Sequence, residues 1–144
     1  MNIMCIDIGK GTQDILYLDM EKSNIENAIK LILPSPTRII ADKILKMEKD
    51  LKIDGKVMGG GPVNRAILQH IEKGYKVIMT KRCARTVRDD LEEVARRGII
   101  LRDRVDHPDV IVGDLDFEIF KILFLSLAIP LITFLGLLVQ YKLK

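Results

Sequence analysis

The feature of this sequence that most constrains its fold is an uncharged segment close to the C-terminus. Residues 122–141 contain no Asp, Glu, Lys or Arg, and most of these twenty residues are apolar. Lys121 lies on one side of the segment, and Lys142 and Lys144 lie on the other. Twenty apolar residues in a helix can cross the hydrocarbon core of a bilayer. The first prediction is a single membrane-spanning helix over residues 121–141 that anchors a cytoplasmic body.

A second interpretation of the same segment also stays open. Residues 116–128 would form a helix, Pro130 would end it, and residues 132–139 would form a buried strand. Pro130 and Thr133 favour this interpretation, because they stand where a long helix would be continuous. We favour the membrane helix, because nothing else in the sequence would cover so much apolar surface.

The charge of the remaining sequence excludes one class of function. The chain has 23 Lys and Arg against 20 Asp and Glu, and its net charge of +3 comes from Lys121, Lys142 and Lys144. Residues 1–118 are therefore neutral, which argues against a nucleic-acid partner held by bulk positive charge. Cys5 and Cys83 are the only cysteines, too few and too far apart for a zinc or iron–sulfur site. A sequence without a secretory signal is expected in the cytoplasm.

Local patterns predict an α/β fold. Strands are expected at residues 2–8, 15–19, 29–33, 57–58, 75–80 and 99–101, and helices are expected after Pro36, Pro62 and Thr86. The order β-β-β-α-β-α-β-α with a mixed sheet is that of a ribonuclease H-like half-domain. We expect this half-domain to span residues 1–118, with residues 119–144 as the separate apolar segment.

The turn after the first strand is the first candidate phosphate site. Asp7 ends the strand, and Gly9, Lys10, Gly11 and Thr12 follow it. A carboxylate at a strand end can hold hydrated Mg²⁺, and a turn without side chains lets backbone N–H groups approach phosphate oxygens. The alternative is that these residues form only a turn.

A second glycine-rich turn is formed by Gly59, Gly60 and Gly61, directly before the predicted helix at Pro62. The start of a helix favours anions. In the ribonuclease H-like order the first and fourth strands are neighbours, so we expect this turn and Asp7 to face one crevice. The alternative is that the glycines only allow close packing of the helix.

Four cations follow the fifth predicted strand, at Lys81, Arg82, Arg85 and Arg88. They could line the same crevice and bind a phosphate or carboxylate. We favour a solvated face, because acidic residues from Asp89 to Glu93 offset the positive charge.

Several of these motifs carry a resemblance to known families. The sequence IDIGKGT resembles the first phosphate motif of the actin-like ATPases. Together, IDIGKGTQDILYLD, LPSPT, MGGGPVNRAI and TVRDDLEEVARRGI resemble an uncharacterised, mostly archaeal family often labelled as similar to pyruvate formate-lyase activating enzyme. The resemblance covers roughly residues 1–118. An activating enzyme holds an iron–sulfur cluster on three clustered cysteines, so we expect no such cluster in this chain.

The resemblance also implies a missing partner. Members of the family are about twice as long and continue past a Gln-Asp-His-Gly segment, whose Gln would match Gln140. The resemblance therefore implies that this chain is an N-terminal half. Phosphoryl transfer or hydrolysis would then require a second half-domain supplied by another chain.

Two functions follow as expectations. The first is a nucleotide- or phosphate-binding half-domain of the actin-like ATPase class, with Mg²⁺ on Asp7 and ATP on the glycine turns. The second is a truncated, non-catalytic protein, attached to a membrane or oligomeric, that binds no nucleotide. A ribonuclease H-like nuclease is disfavoured, because Asp7 has only Asp14 or Asp19 as carboxylate partners.

Overall fold

A computed structural model of the chain describes residues 2–22, 28–115, 120 and 134–140. Contacts divide the chain into two compact units. Unit 1 consists of Met1–Ser35 and Leu115–Lys144, and unit 2 consists of Pro36–Asp114.

The described strands are β1 (Asn2–Ile8), β2 (Thr12–Asp19), β3 (Ile29–Pro34), β4 (Leu51–Gly55), β5 (Val77–Thr80), β6 (Ile99–Arg102), β7 (Val110–Val112) and β8 (Phe134–Gln140). The described helices are α1 (Pro36–Lys46), α2 (Gly61–Glu72), α3 (Lys81–Ala84) and α4 (Leu91–Arg96), and a short 3-10 helix spans Met20–Lys22.

Unit 1 contains a mixed sheet with the strand order β3-β2-β1-β8. β1, β2 and β3 are antiparallel neighbours, and β8 is parallel to β1. Apolar residues alternate along β1 and β2, so that one face of the sheet packs into a core. This core contains Met4, Ile6, Ile8, Ile15, Tyr17 and Phe120.

Strand β8 corrects the prediction for the C-terminal segment. Phe134–Gln140 pairs with β1, and Asp7 stands opposite Gln140. The preferred membrane helix over residues 121–141 is therefore wrong for this part, and the strand of the second interpretation is confirmed there. Residues 121–133 and 141 lie outside the described residues. Among the residues that are described, no helix is both long and apolar enough to cross a membrane.

Unit 2 contains a parallel sheet with the order β6-β5-β4-β7. Its strands are short, and buried residues such as Leu51 and Ile53 of β4 alternate with more exposed ones. Helix α2 begins with Pro62 in its first turn and ends before Gly74, whose φ of 94° only glycine adopts readily. Its buried face carries Val63, Ala66 and Ile67, which join the core of the unit.

The α/β class and the mixed sheet are confirmed. The predicted element order is found from β1 to β5, and two short helices, α3 and α4, follow β5 in place of the one predicted. The predicted neighbour of the first strand is wrong. The fourth strand is Leu51–Gly55 rather than residues 57–58, and it pairs with β5 and β7 in a separate sheet. The place beside β1 is taken by β8. Hydrophobic patterns locate strands but not their partners, and this partner lies more than a hundred residues away in sequence.

Candidate functional site

The first candidate site is the hairpin turn of Gly9, Lys10 and Gly11, which joins β1 to β2. The N–H of Gly9 donates a hydrogen bond to the carbonyl oxygen of Thr12 at 2.8 Å and closes the turn. All three turn residues and Thr12 are exposed. A Cβ at Gly11 would meet no atom within 4 Å, so backbone at this position is open to a ligand.

The hairpin turn is fixed in place by the chain that follows β3. The Ser35 hydroxyl donates to the carbonyl oxygen of Lys10 at 3.0 Å, and the Ser35 N–H donates to the carbonyl oxygen of Gly11 at 3.1 Å. Ser35 is fully buried. Nearby, the side-chain amide of Gln13 donates to the carbonyl oxygen of Pro34 at 3.1 Å. The turn is therefore preorganised rather than free to move.

Asp7 lies one residue before the end of β1, between two register partners. Asp14 of β2 stands opposite it on one side, and Gln140 of β8 on the other. Asp7 and Asp14 are partly buried and help to line an open cavity of about 300 Å³, together with Cys5, Leu16 and Lys30. Two carboxylates on directly opposed residues produce a negative potential that favours a divalent cation.

The protein ligands available to a metal are few. Among the residues that the structure describes, no three His, Cys, Asp or Glu side chains come together in a group that could hold a metal ion directly. Mg²⁺ usually keeps several of its waters and binds through one or two carboxylates and the phosphates of a nucleotide. Asp7 and Asp14 suit that mode of binding.

The second candidate site, formed by Gly59, Gly60 and Gly61, lies in unit 2. The N–H of Gly59 donates to Asp114 Oδ1 at 3.0 Å, and its carbonyl oxygen accepts from Thr37 Oγ1 at 3.0 Å. The Gly59 N–H therefore already has a hydrogen-bond acceptor, the Asp114 carboxylate. Helix α2 has no side-chain cap. Gly61 at its start is exposed, and a Cβ at this position would meet no atom within 4 Å.

The middle glycine of this turn has a packing role. A Cβ at Gly60 would lie 2.1 Å from the carbonyl oxygen of Thr86, which no side chain tolerates. The Thr86 hydroxyl also contacts the segment before this turn, where it accepts a hydrogen bond from the Met58 N–H at 3.2 Å. The helix expected after Thr86 is therefore not capped by this residue, and Asp90 caps α4 through the Glu92 N–H. For Gly60, the structure favours the packing alternative.

The two glycine turns belong to different units and to different sheets. The expectation that Asp7 shares a crevice with Gly59, Gly60 and Gly61 depended on β1 and β4 being neighbours, and they are not. Each turn is therefore a separate candidate.

A further polar cluster lies at the carboxyl ends of β4 and β5. Asp54 Oδ1 accepts hydrogen bonds from the Thr80 hydroxyl and the Gly55 N–H, both at 2.7 Å. The Thr80 hydrogen bond, with the Gly55 N–H and the nearby Arg82 guanidinium, lowers the pKa of the Asp54 carboxyl. Burial raises the pKa of the neighbouring Cys83 thiol. The Asp-Gly pair at residues 54–55 is typical of a turn, but no sequence pattern indicated this cluster.

The four cations that follow β5 have partners within unit 2. Lys81 pairs with Asp103 at 2.7 Å, and Arg88 pairs with Glu93 at 3.4 Å. Arg82 donates to the Gly55 carbonyl oxygen at 2.8 Å, and Arg85 donates to the Asp89 carbonyl oxygen at 2.9 Å. These exposed, partnered cations agree with the solvated-face interpretation.

Comparisons with known proteins identify a family. A search of curated proteins finds no match to this chain. A family model matches residues 58–140, which is more than half of the chain. Two of the four motifs lie inside the matched residues, namely MGGGPVNRAI and TVRDDLEEVARRGI. The other two, IDIGKGTQDILYLD and LPSPT, lie before residue 58. The predicted family is therefore confirmed, but over residues 58–140 rather than residues 1–118. The chain belongs to the family described as "Putative pyruvate format-lyase activating enzyme (DUF1786)".

Proposed function

We propose that this chain is a nucleotide-binding half-domain of the actin-like ATPase class, with a ribonuclease H-like sheet in unit 1. The observation that carries the proposal is the position of Asp7 in the strand order β3-β2-β1-β8. This order, with three antiparallel strands and a fourth parallel to the first, supports the proposal of a ribonuclease H-like sheet. Asp7 lies near the carboxyl end of an interior strand, two residues before an exposed glycine turn.

The chemistry of the hairpin turn fits a magnesium–phosphate ligand. Asp7 would hold Mg²⁺ through water, and Asp14 would add negative charge at the same place. Backbone N–H groups of Lys10 and Gly11 would bind phosphate oxygens, with the Lys10 ammonium and the exposed Thr12 hydroxyl as further donors. The Gly9 N–H is used to close the turn through the Thr12 carbonyl oxygen. The hydrogen bonds from Ser35 keep this turn in one conformation before the ligand arrives.

The turn of Gly59, Gly60 and Gly61 is a weaker part of the proposal. The amide of Gly59 is engaged by Asp114. Gly60 is required for packing against Thr86. The exposed Gly61, at the start of a twelve-residue helix without a side-chain cap, is the position at which this turn would accept a phosphate.

A second half-domain on another chain is part of the same proposal. In the actin-like class the nucleotide lies between two half-domains, so binding by this chain alone would be weak and hydrolysis would require the partner. The activity in the family description is not proposed. An iron–sulfur cluster needs more thiolates than Cys5 and Cys83 supply.

Isothermal titration calorimetry with Mg·ATP on the full-length chain tests the proposal. We expect saturable binding that Asp7→Asn weakens by at least about tenfold, which is ~1.4 kcal/mol of binding free energy. Asp42→Asn, which removes an exposed carboxylate from α1, is the matched control and should bind as the unaltered chain does.

Two results would count against nucleotide binding. The first is no heat of binding by a folded chain at millimolar Mg·ATP. The second is equal loss of affinity in Asp7→Asn and Asp42→Asn, which would show a general charge effect. Either result would favour the alternative of a non-catalytic protein that binds no nucleotide.

A further inference from the structure

The sheet of unit 1 has a second face, which does not contribute to the core of that unit. Core residues alternate along β1 and β2 with the residues of this second face. We name it the Cys5 face, and its described members are Ile3, Cys5 and Asp7 of β1, Asp14, Leu16 and Leu18 of β2, and Lys30 and Ile32 of β3. Most of them are apolar and all are partly buried or exposed, with Ile32 61% exposed. A sheet that is apolar on both faces normally has both faces covered.

Four residues of the Cys5 face form a patch with a regular pattern. Asp14 stands opposite Ile32, and Leu16 stands opposite Lys30, on the neighbouring strands β2 and β3. These four residues, which we name the β2–β3 patch, occupy the corners of a rectangle whose sides are about 5 Å and about 7 Å. The two charged residues lie on one diagonal, and the two apolar residues lie on the other.

The charges of the β2–β3 patch lack a protein partner within the described residues. In the part of the chain that the structure describes, neither Asp14 nor Lys30 forms a side-chain hydrogen bond or an ion pair. The cations of unit 2 behave differently, since Lys81 and Arg88 are each paired with a carboxylate. Unpaired charges that flank apolar side chains are suited to a surface of complementary charge on another molecule.

We propose that the β2–β3 patch is an interface with a second copy of this chain. A two-fold axis lying between two such sheets can place Lys30 of one copy over Asp14 of the other. The symmetry then repeats the same ion pair a second time. The same axis runs close to the apolar diagonal, so Leu16 of one copy faces Leu16 of the other, and Ile32 faces Ile32.

The pattern of charge is the reason for choosing a second copy over a different protein. The patch carries one acid and one base at exchangeable positions, so it is complementary to itself. A surface adapted to an unrelated acidic or basic partner would need only the opposite charge. The resulting interface has an apolar centre flanked by two symmetric ion pairs. It goes beyond the proposed nucleotide binding, and because Asp14 belongs to both sites, the dimer and Mg·ATP would compete for this carboxylate.

Sedimentation velocity of the full-length chain, without nucleotide and over a range of protein concentrations, tests this interface. The unaltered chain is expected to form a dimer. Leu16→Arg should abolish the dimer, and Lys30→Asp should raise the dimer dissociation constant by about tenfold or more, since it places four acids in the interface. Ile111→Arg, at a residue of unit 2 that is 60% exposed, is the matched control and should remain dimeric.

A charge exchange distinguishes the interface from a general loss of stability. The double variant Asp14→Lys with Lys30→Asp restores both ion pairs in a symmetric dimer, so its dissociation constant should return to within about threefold of the original. Cys5 supplies a second measurement, because it belongs to the same face and the other cysteine, Cys83, is buried. Alkylation of Cys5 should slow as the dimer forms.

Three results would overturn the proposal. One is a folded chain that stays monomeric at all concentrations. Another is a dimer that withstands both Leu16→Arg and Lys30→Asp. The third is a charge-exchanged double variant that keeps its circular dichroism but remains as monomeric as Lys30→Asp. Because no nucleotide is present, these results leave the proposed nucleotide site to be judged by its own calorimetry.

Discussion

Gly60 and Thr86 approach so closely that the backbone of one leaves no room for a side chain on the other. A Cβ at residue 60 would lie 2.1 Å from the Thr86 carbonyl oxygen and 3.3 Å from its Cγ2. The same contact places the Thr86 hydroxyl within 3.2 Å of the Met58 N–H. The start of α2 and the segment after α3 are therefore joined through backbone atoms, and the glycine at residue 60 is a requirement of packing.

The first prediction concerns this contact. Gly60→Ala should destabilise the chain by several kcal/mol, on the order of 3 kcal/mol, because the added methyl group forces backbone apart. Gly61→Ala is the matched control, since its Cβ would meet no atom within 4 Å, and it should change stability by less than about 1 kcal/mol. Urea unfolding followed by circular dichroism measures both. Equal effects of the two substitutions would contradict this role of Gly60.

The second prediction separates the two glycine turns as phosphate sites. Ser35 and Thr37 are both buried, and each donates its hydroxyl to a carbonyl oxygen of one turn, Lys10 and Gly59 respectively. Ser35→Ala and Thr37→Val should each cost about 1 kcal/mol of stability. Only Ser35→Ala should also weaken Mg·ATP binding, because it loosens the hairpin turn next to Asp7. A loss of affinity confined to Thr37→Val would assign the phosphate to unit 2 instead.

The third prediction is a pH dependence that arises from Asp54. Its pKa is lowered in the folded chain, chiefly by the Thr80 hydrogen bond, so its contribution to stability is present above the unfolded pKa and disappears as pH falls through the folded value. Thr80→Val should therefore destabilise the chain at pH 7, and the difference from the unaltered chain should narrow at pH values below the ordinary 3.8 of Asp54. Urea unfolding of both chains between pH 7 and pH 2.5 measures this. A difference that stays constant over the range would exclude the carboxylate as its source.

The fourth prediction concerns His70, which is fully buried in α2. Its Nε2 lies 2.8 Å from the Lys49 carbonyl oxygen, and its ring stacks on Tyr75 with centroids 4.9 Å apart. His70→Phe keeps an aromatic ring but leaves the carbonyl oxygen without this donor, so it should cost about 1–3 kcal/mol. Tyr75→Phe retains the stacked ring and should have a much smaller effect. Thermal unfolding compares the two variants. If His70→Phe leaves the stability unchanged, water must replace the imidazole as the hydrogen-bond donor to the Lys49 carbonyl oxygen.

Much of the local structure follows from the sequence. The alternation of Ile6, Ile8, Ile15 and Tyr17 around a Gly-Lys-Gly turn identifies the β1–β2 hairpin, because strand side chains alternate between faces. Pro36 and Pro62 mark the first turns of α1 and α2, and Gly74 marks the end of α2. These signals act within a few residues, where backbone sterics decide the conformation.

The capping of α4 shows where local signals were insufficient. Thr86 and Asp90 are both suitable N-cap residues by type. The hydroxyl of the buried Thr86 accepts a hydrogen bond from the Met58 N–H, so it is not available to cap α4. Asp90 caps the helix instead. A choice between two suitable side chains depended on a contact between residues 28 positions apart.

Local sterics and hydrophobic periodicity were enough to define the α/β class, the hairpin with Asp7 near its glycine turn, the starts of α1 and α2, and the end of α2. Long-range pairing, which is visible only in the folded chain, made Phe134–Gln140 a strand beside β1 and assigned β4 to a second sheet. The apolar composition of the C-terminal segment suits a membrane helix and a buried strand equally. The two structures differ in where the backbone N–H and carbonyl groups of this segment find their hydrogen-bond partners. In the strand these partners lie on β1, more than a hundred residues away, and amino-acid composition does not identify such a distant partner.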